Sequence, residues 1–555
     1  NLGTAAYRKD GDLYGIILLP ETATGADIEA ARKLLIDRGA GDGTTAGSIF
    51  TYWYDRDDIV EFKHLNTSSV TYSSYAWSFS SALEKFPALD LSNSTTLASA
   101  WLGCTELSDF GAIQADSCAS FTSAWKDCAA LTSFPAGAKL GTAATGVNFT
   151  NAFLTSGLTA LPAGLDMSQG NTFSGTFQNC GSLATIGTGV LLGTANATAT
   201  VNFTDAFRSS GLTALPDNLN LSKGRYFTSA FNGCSSLTTI GDGVLLGTAS
   251  ANVNFASAFR TSGLTALPAG LDMSQGSSFG STFNGCGSLT TIGDGVLLGT
   301  ASTSVDFAYS FVNSGLTALP ANLDLSQGYT FLSAFQGCGS LATIGTGVLL
   351  GTASSSVNFI SAFRTTALTA LPAGLDMSQG SLFNATFRDC TSLATIGTGV
   401  LLGTANETAT VNYADTFNGC TNLTALPAGL DLSQGSDFNN AFNGCTSLTT
   451  IGAGVLLGTA STSVNFTSAF KGCTNLVTLP ANLNLSKGDD FQSGYRDCSS
   501  LVDFPAGAFD TMGTPLANCF LNTWLGCSAL SGASVDAILD SIDTSGQSAP
   551  GTGPS

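Results

Sequence analysis

The sequence predicts an α/β repeat solenoid, in which short parallel strands alternate with short helices at about 26 residues to a coil. Three observations lead there. The pattern F-x-x-x-F-x-x-C-x-x-L and its variants recurs over most of the chain. A longer period of 52 to 54 residues separates Val147, Val201, Val253, Val305, Val357, Val411 and Val464, each opening a nearly identical copy. The 555 residues include 65 Gly, only 10% are charged and 43% are hydrophobic, which is too apolar for a disordered chain. An array in which each unit buries its face against its neighbours escapes the size limit of a single core.

Each long copy splits into two half-units that share an aromatic pair four residues apart. Phe173, Phe177 and Cys180 stand at i, i+4 and i+7, the spacing of one face of a helix, and the triplet returns at Phe227/Phe231/Cys234 and Phe279/Phe283/Cys286. The segment 158–162 reads as a short strand stopped by Pro162, and 165–168 as a second strand, with Gly170 turning into the next helix. Strand, turn, strand and short helix make one coil. At the front of the array Trp77, Trp101 and Trp125 replace the second Phe, as Trp524 does at the back; these are expected to cover the end layers.

Residues 1–69 lack the repeat and are read as an N-terminal attachment or capping region of α+β type. It would hold a helix over 27–37 and a hairpin formed by 49–54 and 59–63. The solenoid spans 70–530. Residues 531–555 are read as a helix over 533–542 and a Gly/Pro/Ser-rich tail, beyond which the natural chain is expected to continue.

The net charge of −20, without Lys/Arg clusters, argues against nucleic acid, whose phosphates need a basic footprint, and against anionic membranes. No run of 18 apolar residues is present to make a transmembrane helix, so no membrane insertion is expected.

Most of the 14 cysteines occupy one repeat position beside two aromatics and are expected to be buried free thiols. Cys180, Cys234, Cys286, Cys338 and Cys390 lie two coils apart, roughly 10 Å, too far to bridge. Cys420, Cys445, Cys473 and Cys498 fall on successive coils, where distance alone would permit pairing. No metal or other cofactor is expected. A register of Asp166, Asp272, Asp324, Asp376 and Asp431, with Asn220 and Asn484 substituting, reads as a hydrogen-bonded ladder or solvated edge; calcium is the alternative. The column Asn148, Asn202, Asn254, Asp306, Asn358, Asn412 and Asn465 reads as an internal ladder that satisfies turn backbone.

With one histidine, His64, a Ser-His-Asp triad has little to stand on, and no enzyme is expected. Two sites vary while their surroundings repeat. One follows Ser-Gln/Lys-Gly: Asn171, Arg225-Tyr226, Ser277, Tyr329, Ser381, Asp437 and Asp489-Asp490. The other follows the second aromatic: Leu154, Arg208, Arg260, Val312, Arg364, Asn418 and Lys471. Exposed positions drift, but exposed Tyr and Arg also favour contact with carbohydrate or protein. Arg225, Tyr226, Tyr329, Arg208, Arg260, Arg364 and Lys471 are therefore the candidate ligand-binding residues.

The stretch Ser229-Ala230-Phe231-Asn232-Gly233-Cys234-Ser235-Ser236-Leu237-Thr238 and its copies resemble the BspA-like leucine-rich-repeat group of bacterial surface proteins, over roughly residues 70 to 530. That resemblance implies a leucine-rich-repeat-like solenoid with an adhesive role. Asn1-Leu2-Gly3-Thr4-Ala5-Ala6-Tyr7 resembles junctions in the tail fibres of bacterial viruses, and the block 30–40 is similar to repeat proteins of marine bacteriophages. Together these imply a non-enzymatic tail fibre or receptor-binding protein of a virion. Its partners would be a host surface glycan or protein, other tail proteins through residues 1–69, and further copies of itself in a trimer. A secreted or surface-anchored adhesin is the alternative, and a glycan depolymerase a third reading.

Overall fold

In a computed structural model of the chain, residues 8–9, 12–13, 61, 72–406 and 410–546 are described. Two compact units are present, Asn1–Val253 and Asn254–Ser555. The helix and hairpin expected within 1–69 lie almost wholly outside the described residues. There the structure describes only Arg8–Lys9, paired antiparallel with Asp12–Leu13, and Glu61, which bridges Lys85.

Both units are built from the same coil, which carries three strands of two or three residues. In the first unit Val147–Asn148, Gly170–Thr172, Val201–Asn202 and Gly224–Tyr226 stack in parallel as one sheet. Ala160–Leu161 and Thr185–Ile186 belong to a second side. Leu89–Asp90, Ile113–Ala115, Lys139–Leu140, Asp166–Met167 and Leu191–Leu192 form a third. The second unit repeats this plan, with nine strands from Gly276–Ser278 to Gly488–Asp490 on its first side. Each two-residue strand turns one side chain inward and one outward, so Leu161, Met167 and Leu192 are buried beside exposed or half-exposed neighbours. The chain is a parallel β-solenoid with leucine-rich-repeat-like coils.

The short helices predicted for F-x-x-x-F-x-x-C do not form, and this corrects the α/β reading. From Phe279 to Cys286 the backbone runs through consecutive turns. Thr282, Asn284 and Cys286 donate to the carbonyls three residues back, at 3.0–3.2 Å. The alternate amides of Phe279, Ser281, Phe283 and Gly285 instead donate to Asp306, Ala308, Ser310 and Val312 of the next coil, at 2.7–2.9 Å. Left-handed residues at Ser281 (φ 59°) and Gly285 (φ 74°) recur every fourth residue and break any helical run. Turns of this period aim Phe279, Phe283 and Cys286 inward at the spacing a helix would give, so the pattern alone did not distinguish the two. Among the described residues the helix is Gly532–Thr544, where one was expected over 533–542.

The aromatics form two rows. Phe279 lies 5.3 Å from Phe307, and Phe283 lies 5.1 Å from Phe311, each pair stacked. The three front tryptophans are not exposed lids. Trp77, Trp101 and Trp125 are fully buried and stack at 5.0 and 5.3 Å. Each meets a phenylalanine edge-on: Phe86 at 4.7 Å, Phe110 at 5.0 Å and Phe134 at 5.0 Å. Later coils put Leu161 or Ile186 at that phenylalanine position. At the other end the helix closes the last coil through Ser534 and Ser541, whose hydroxyls accept the amides of Phe504 and Phe509 at 3.1 and 2.9 Å. Trp524, half-buried, packs edge-on against Phe504 at 5.7 Å.

Candidate recognition wall

Within each unit the first sheet and the turn run after it form a continuous wall, because inter-coil hydrogen bonds continue every second residue. Phe149, Asn151, Phe153 and Thr155 donate in turn to Thr172, Ser174, Thr176 and Gln178. Both variable sites lie on this wall.

The first site has a structural cause. Strands alternate between two residues (Val305–Asp306) and three (Gly328–Thr330), so the pairing shifts register at every second coil. Val305 faces Gly328 and Asp306 faces Thr330, leaving Tyr329 as an outward bulge, 45% exposed. The same shift projects Asn171, Arg225, Ser381 and Asp489. In the copy from Gly435 the bulged residue is Ser436, and the predicted Asp437 is instead paired with Asn465. Burial and the nearby Asp306 carboxylate push the Tyr329 phenol up. Tyr226, 40% exposed, lies beneath the Arg225 guanidinium at 5.6 Å from the ring centre. A glycine opens each three-residue strand of this first sheet because the following aromatic ring folds over it. A Cβ on Gly276 would sit 2.4 Å from Phe279 Cζ.

The second site is a column, and half of it was missed in the sequence. Thr261, Gly285, Asn313, Gly337 and Thr365 donate to the carbonyls of Asn284, Val312, Gln336, Arg364 and Arg388 respectively. Residues after the second aromatic in both half-units therefore stand in one line. Asn284, Gln336, Arg388, Asn443 and Arg496 interleave with Arg260, Val312, Arg364, Asn418 and Lys471. Aligning the half-units on their aromatic pairs, instead of the long copies on Val, would have revealed it. In the first unit Arg208 Nη1 lies 3.5 Å from Asp205 Oδ1. In the second, Arg364 and Arg388 both approach Oδ2 of Asp389, at 3.8 and 3.6 Å, and Arg388 reaches Asp415 at 3.8 Å. Arg260 is exposed and Lys471 half-exposed.

The remaining columns are structural. Asn148, Asn202, Asn254, Asp306, Asn358, Asn412 and Asn465 are half-exposed, and each accepts the amide two residues on, at 2.8–2.9 Å. The column satisfies turn backbone as expected, but as a row of half-exposed local Asx turns and not as an internal ladder. The Asp166 register does the same for Ser168, as Asp272 does for Ser274. Alternate coils put exposed Leu191 and Leu297 beside these carboxylates. No group of three or more His, Cys, Asp or Glu is placed to hold a metal among the described residues.

All fourteen cysteines are free; thirteen are buried and Cys527 is half-buried. The thiols at the repeat position donate to carbonyls of the preceding coil, as Cys286 does to Phe259 and Cys338 to Phe311 at 3.0 and 2.9 Å. Burial pushes the Cys104 and Cys473 thiols up to about 12. Near the last coil a hydrogen bond between Cys498 and Cys527, together with burial, raises Cys498, and the same bond lowers Cys527 against the opposing effect of burial.

The letters of a G-x-S-x-G elbow do occur at Gly276-Ser277-Ser278-Phe279-Gly280. Ser278 there is a strand residue paired with Asp306, not the apex of a strand-to-helix turn, and no histidine lies among the described residues.

No family model and no curated protein matches this chain. Solved structures similar to it include a leucine-rich repeat protein from Bacteroides ovatus, at 16% identity, covering 76% of this chain and 86% of that one with a TM-score of 0.36. A leucine-rich repeat protein from Eubacterium ventriosum is 15% identical, covering 77% and 87%, with a TM-score of 0.19. The functional domain of InlJ from Listeria monocytogenes, which includes a cysteine ladder, is 12% identical, covering 65% of each chain with a TM-score of 0.14.

Proposed function

We propose that this chain is a non-catalytic recognition solenoid that binds a component of a bacterial cell surface through the wall of first-sheet bulges and turns. The observation that carries this reading is the bulge column. The scaffold repeats nearly unchanged, while the residue projected at every second coil varies among Asn171, Arg225, Tyr329, Ser381 and Asp489. Exposed Tyr beside Arg is a composition enriched where surfaces meet partners. On the resemblance of residues 1–7 and 30–40, the particle that carries it is a bacterial virus, with the chain as a tail fibre or receptor-binding protein; a trimer fits that role. Placement on a cell as an adhesin is the second reading, favoured by the resemblance of the repeat itself.

The test replaces Arg225, Tyr226 and Tyr329 together with Ala and measures binding of fluorescent protein to a panel of bacteria. Loss of binding with an unchanged melting temperature is expected. Wild-type binding in the triple variant would sink the assignment of this wall. Immunogold labelling of intact virions against cell surfaces separates tail fibre from adhesin, and oligosaccharide release from bound cells would identify a depolymerase.

A further inference from the structure

Within Asn254–Ser555 the wall changes character along its length. In the coils from 256 to 333 the two outward positions between the aromatics hold Ala256-Ser257, Gly280-Ser281, Ala308-Tyr309 and Leu332-Ser333. From 384 to 440 they include Asn384, Asp415, Asn439 and Asn440, while Arg388, Asn418 and Asn443 follow the second aromatic. Asn384, Arg388, Asp415, Asn439 and Asn440 depart from a template that is otherwise copied, so duplication does not explain them, whereas Asn418 and Asn443 repeat Asn232 and Asn284. They also hold one another. Asn418 Nδ2 donates to Asp415 Oδ1, Asn443 Nδ2 to Asn440 Oδ1 at 3.3 Å, and Asn440 Nδ2 to Asn439 Oδ1 at 2.8 Å. Arg388 spans Asp389 and Asp415, and Arg364 approaches Asp389 from the coil before. The Nε atoms of Arg364 and Arg388 are the atoms that approach Asp389, at distances longer than a hydrogen bond.

We infer that this patch, from Arg364 to Asn443, binds a neutral carbohydrate chain, an inference that rests on the recognition reading above. Its two guanidiniums are balanced by the carboxylates of Asp389 and Asp415, so it has no net attraction for a polyanion. The exposed large hydrophobics in this stretch of chain reduce to Leu401, which lies on the third sheet, so the patch lacks the apolar anchor of a protein interface. Fixed planar groups are what pairs of vicinal hydroxyls need: a carboxylate offers two acceptors side by side, a guanidinium two donors, and an amide one of each. The coil repeat of about 4.8 Å presents such groups again on the scale of successive sugar rings. Half-exposed and already bonded to one another, they lose little side-chain entropy on binding.

The experiment uses the full chain and three variants. Asn440 (φ 54°) and Asp389 (φ 60°) are left-handed, so Asn440→Gly and Asp389→Gly remove the side chain without backbone strain. The third is Arg388→Ala, and Thr450→Ala on the second sheet is the control. Binding is measured to bacterial cells that the wild type recognises, untreated, after mild periodate (which cleaves vicinal diols) and after protease. It is also titrated against neutral and anionic polysaccharides. Expected are loss of binding after periodate but not protease, and about tenfold weaker binding for Arg388→Ala at unchanged melting temperature. Binding abolished by protease but not periodate, or confined to anionic polysaccharides, overturns the inference and leaves the recognition reading standing. Variants that bind like wild type overturn the placement. Binding to no cell overturns both readings.

Discussion

Phe283→Ala removes a ring that is fully buried between Phe259 at 5.7 Å and Phe311 at 5.1 Å. Truncating a buried Phe to Ala costs about 3–5 kcal/mol, of which two stacked neighbours account for ~0.5–1.5 kcal/mol each. Collapse around the cavity is restricted here. The Phe283 amide is fixed to Ser310 of the next coil at 2.7 Å, and its carbonyl to the Cys286 amide at 3.2 Å. The cost is therefore expected in the upper half of that range. Each coil touches only its neighbours, so the loss should be concentrated locally. Hydrogen exchange read by mass spectrometry should show faster opening in peptides covering 259–311, while peptides beyond 440 change little. Urea unfolding supplies the global figure. Exposed Tyr329→Ala should stay within about 0.5 kcal/mol of wild type. A local destabilisation below about 1 kcal/mol at Phe283 would refute the stacked-aromatic account.

Gly276→Ala should destabilise by about 1–3 kcal/mol, because the new methyl meets the Phe279 ring at 2.4 Å; a thermal melt like wild type would refute this. With a disulfide-exchange reagent, Cys527 should be the first thiol to react in the native protein, since thirteen others are buried. Rapid native reaction of many thiols would contradict the packed columns. The thiols also set an alkaline limit. Cys104 and Cys473 are held protonated up to about 12 when folded, against 9.0 when unfolded. Above pH 9 the folded chain binds more protons than the unfolded one, so their contribution is complete below that value and is lost as pH rises towards 12. A melting temperature constant from pH 8 to pH 11 would count against it.

Much of the scaffold was legible before any coordinates. The coil length, the inward rows through Phe173, Phe177 and Cys180, and the strands at 160–161 and 166–167 all follow from period and from side-chain size. Left-handed backbone every fourth residue leaves a trace as well, since Asn151, Gly175, Asp205 and Gly233 are residue types that tolerate it. Less was legible at the wall. Arg388 and Arg496 were passed over because their half-unit was aligned separately from the one holding Arg364 and Lys471. Tyr329 was found by its variability alone, without the bulge that projects it.

What the sequence determined by itself is therefore the repeating unit: its length, its buried side and its free thiols. Only the tertiary structure decided the conformation of the aromatic segment. A helix needs amide partners within its own chain segment, whereas the amides of Phe279 and Phe283 find theirs on the coil above. That choice is non-local, and the i, i+4 spacing is the same either way. Stacking also decided which residues share a surface. The register shift that ejects Tyr329 exists only because a two-residue strand lies beside a three-residue one. The contact of Arg388 with Asp415 exists only because coils 27 residues apart in sequence lie one layer apart in space.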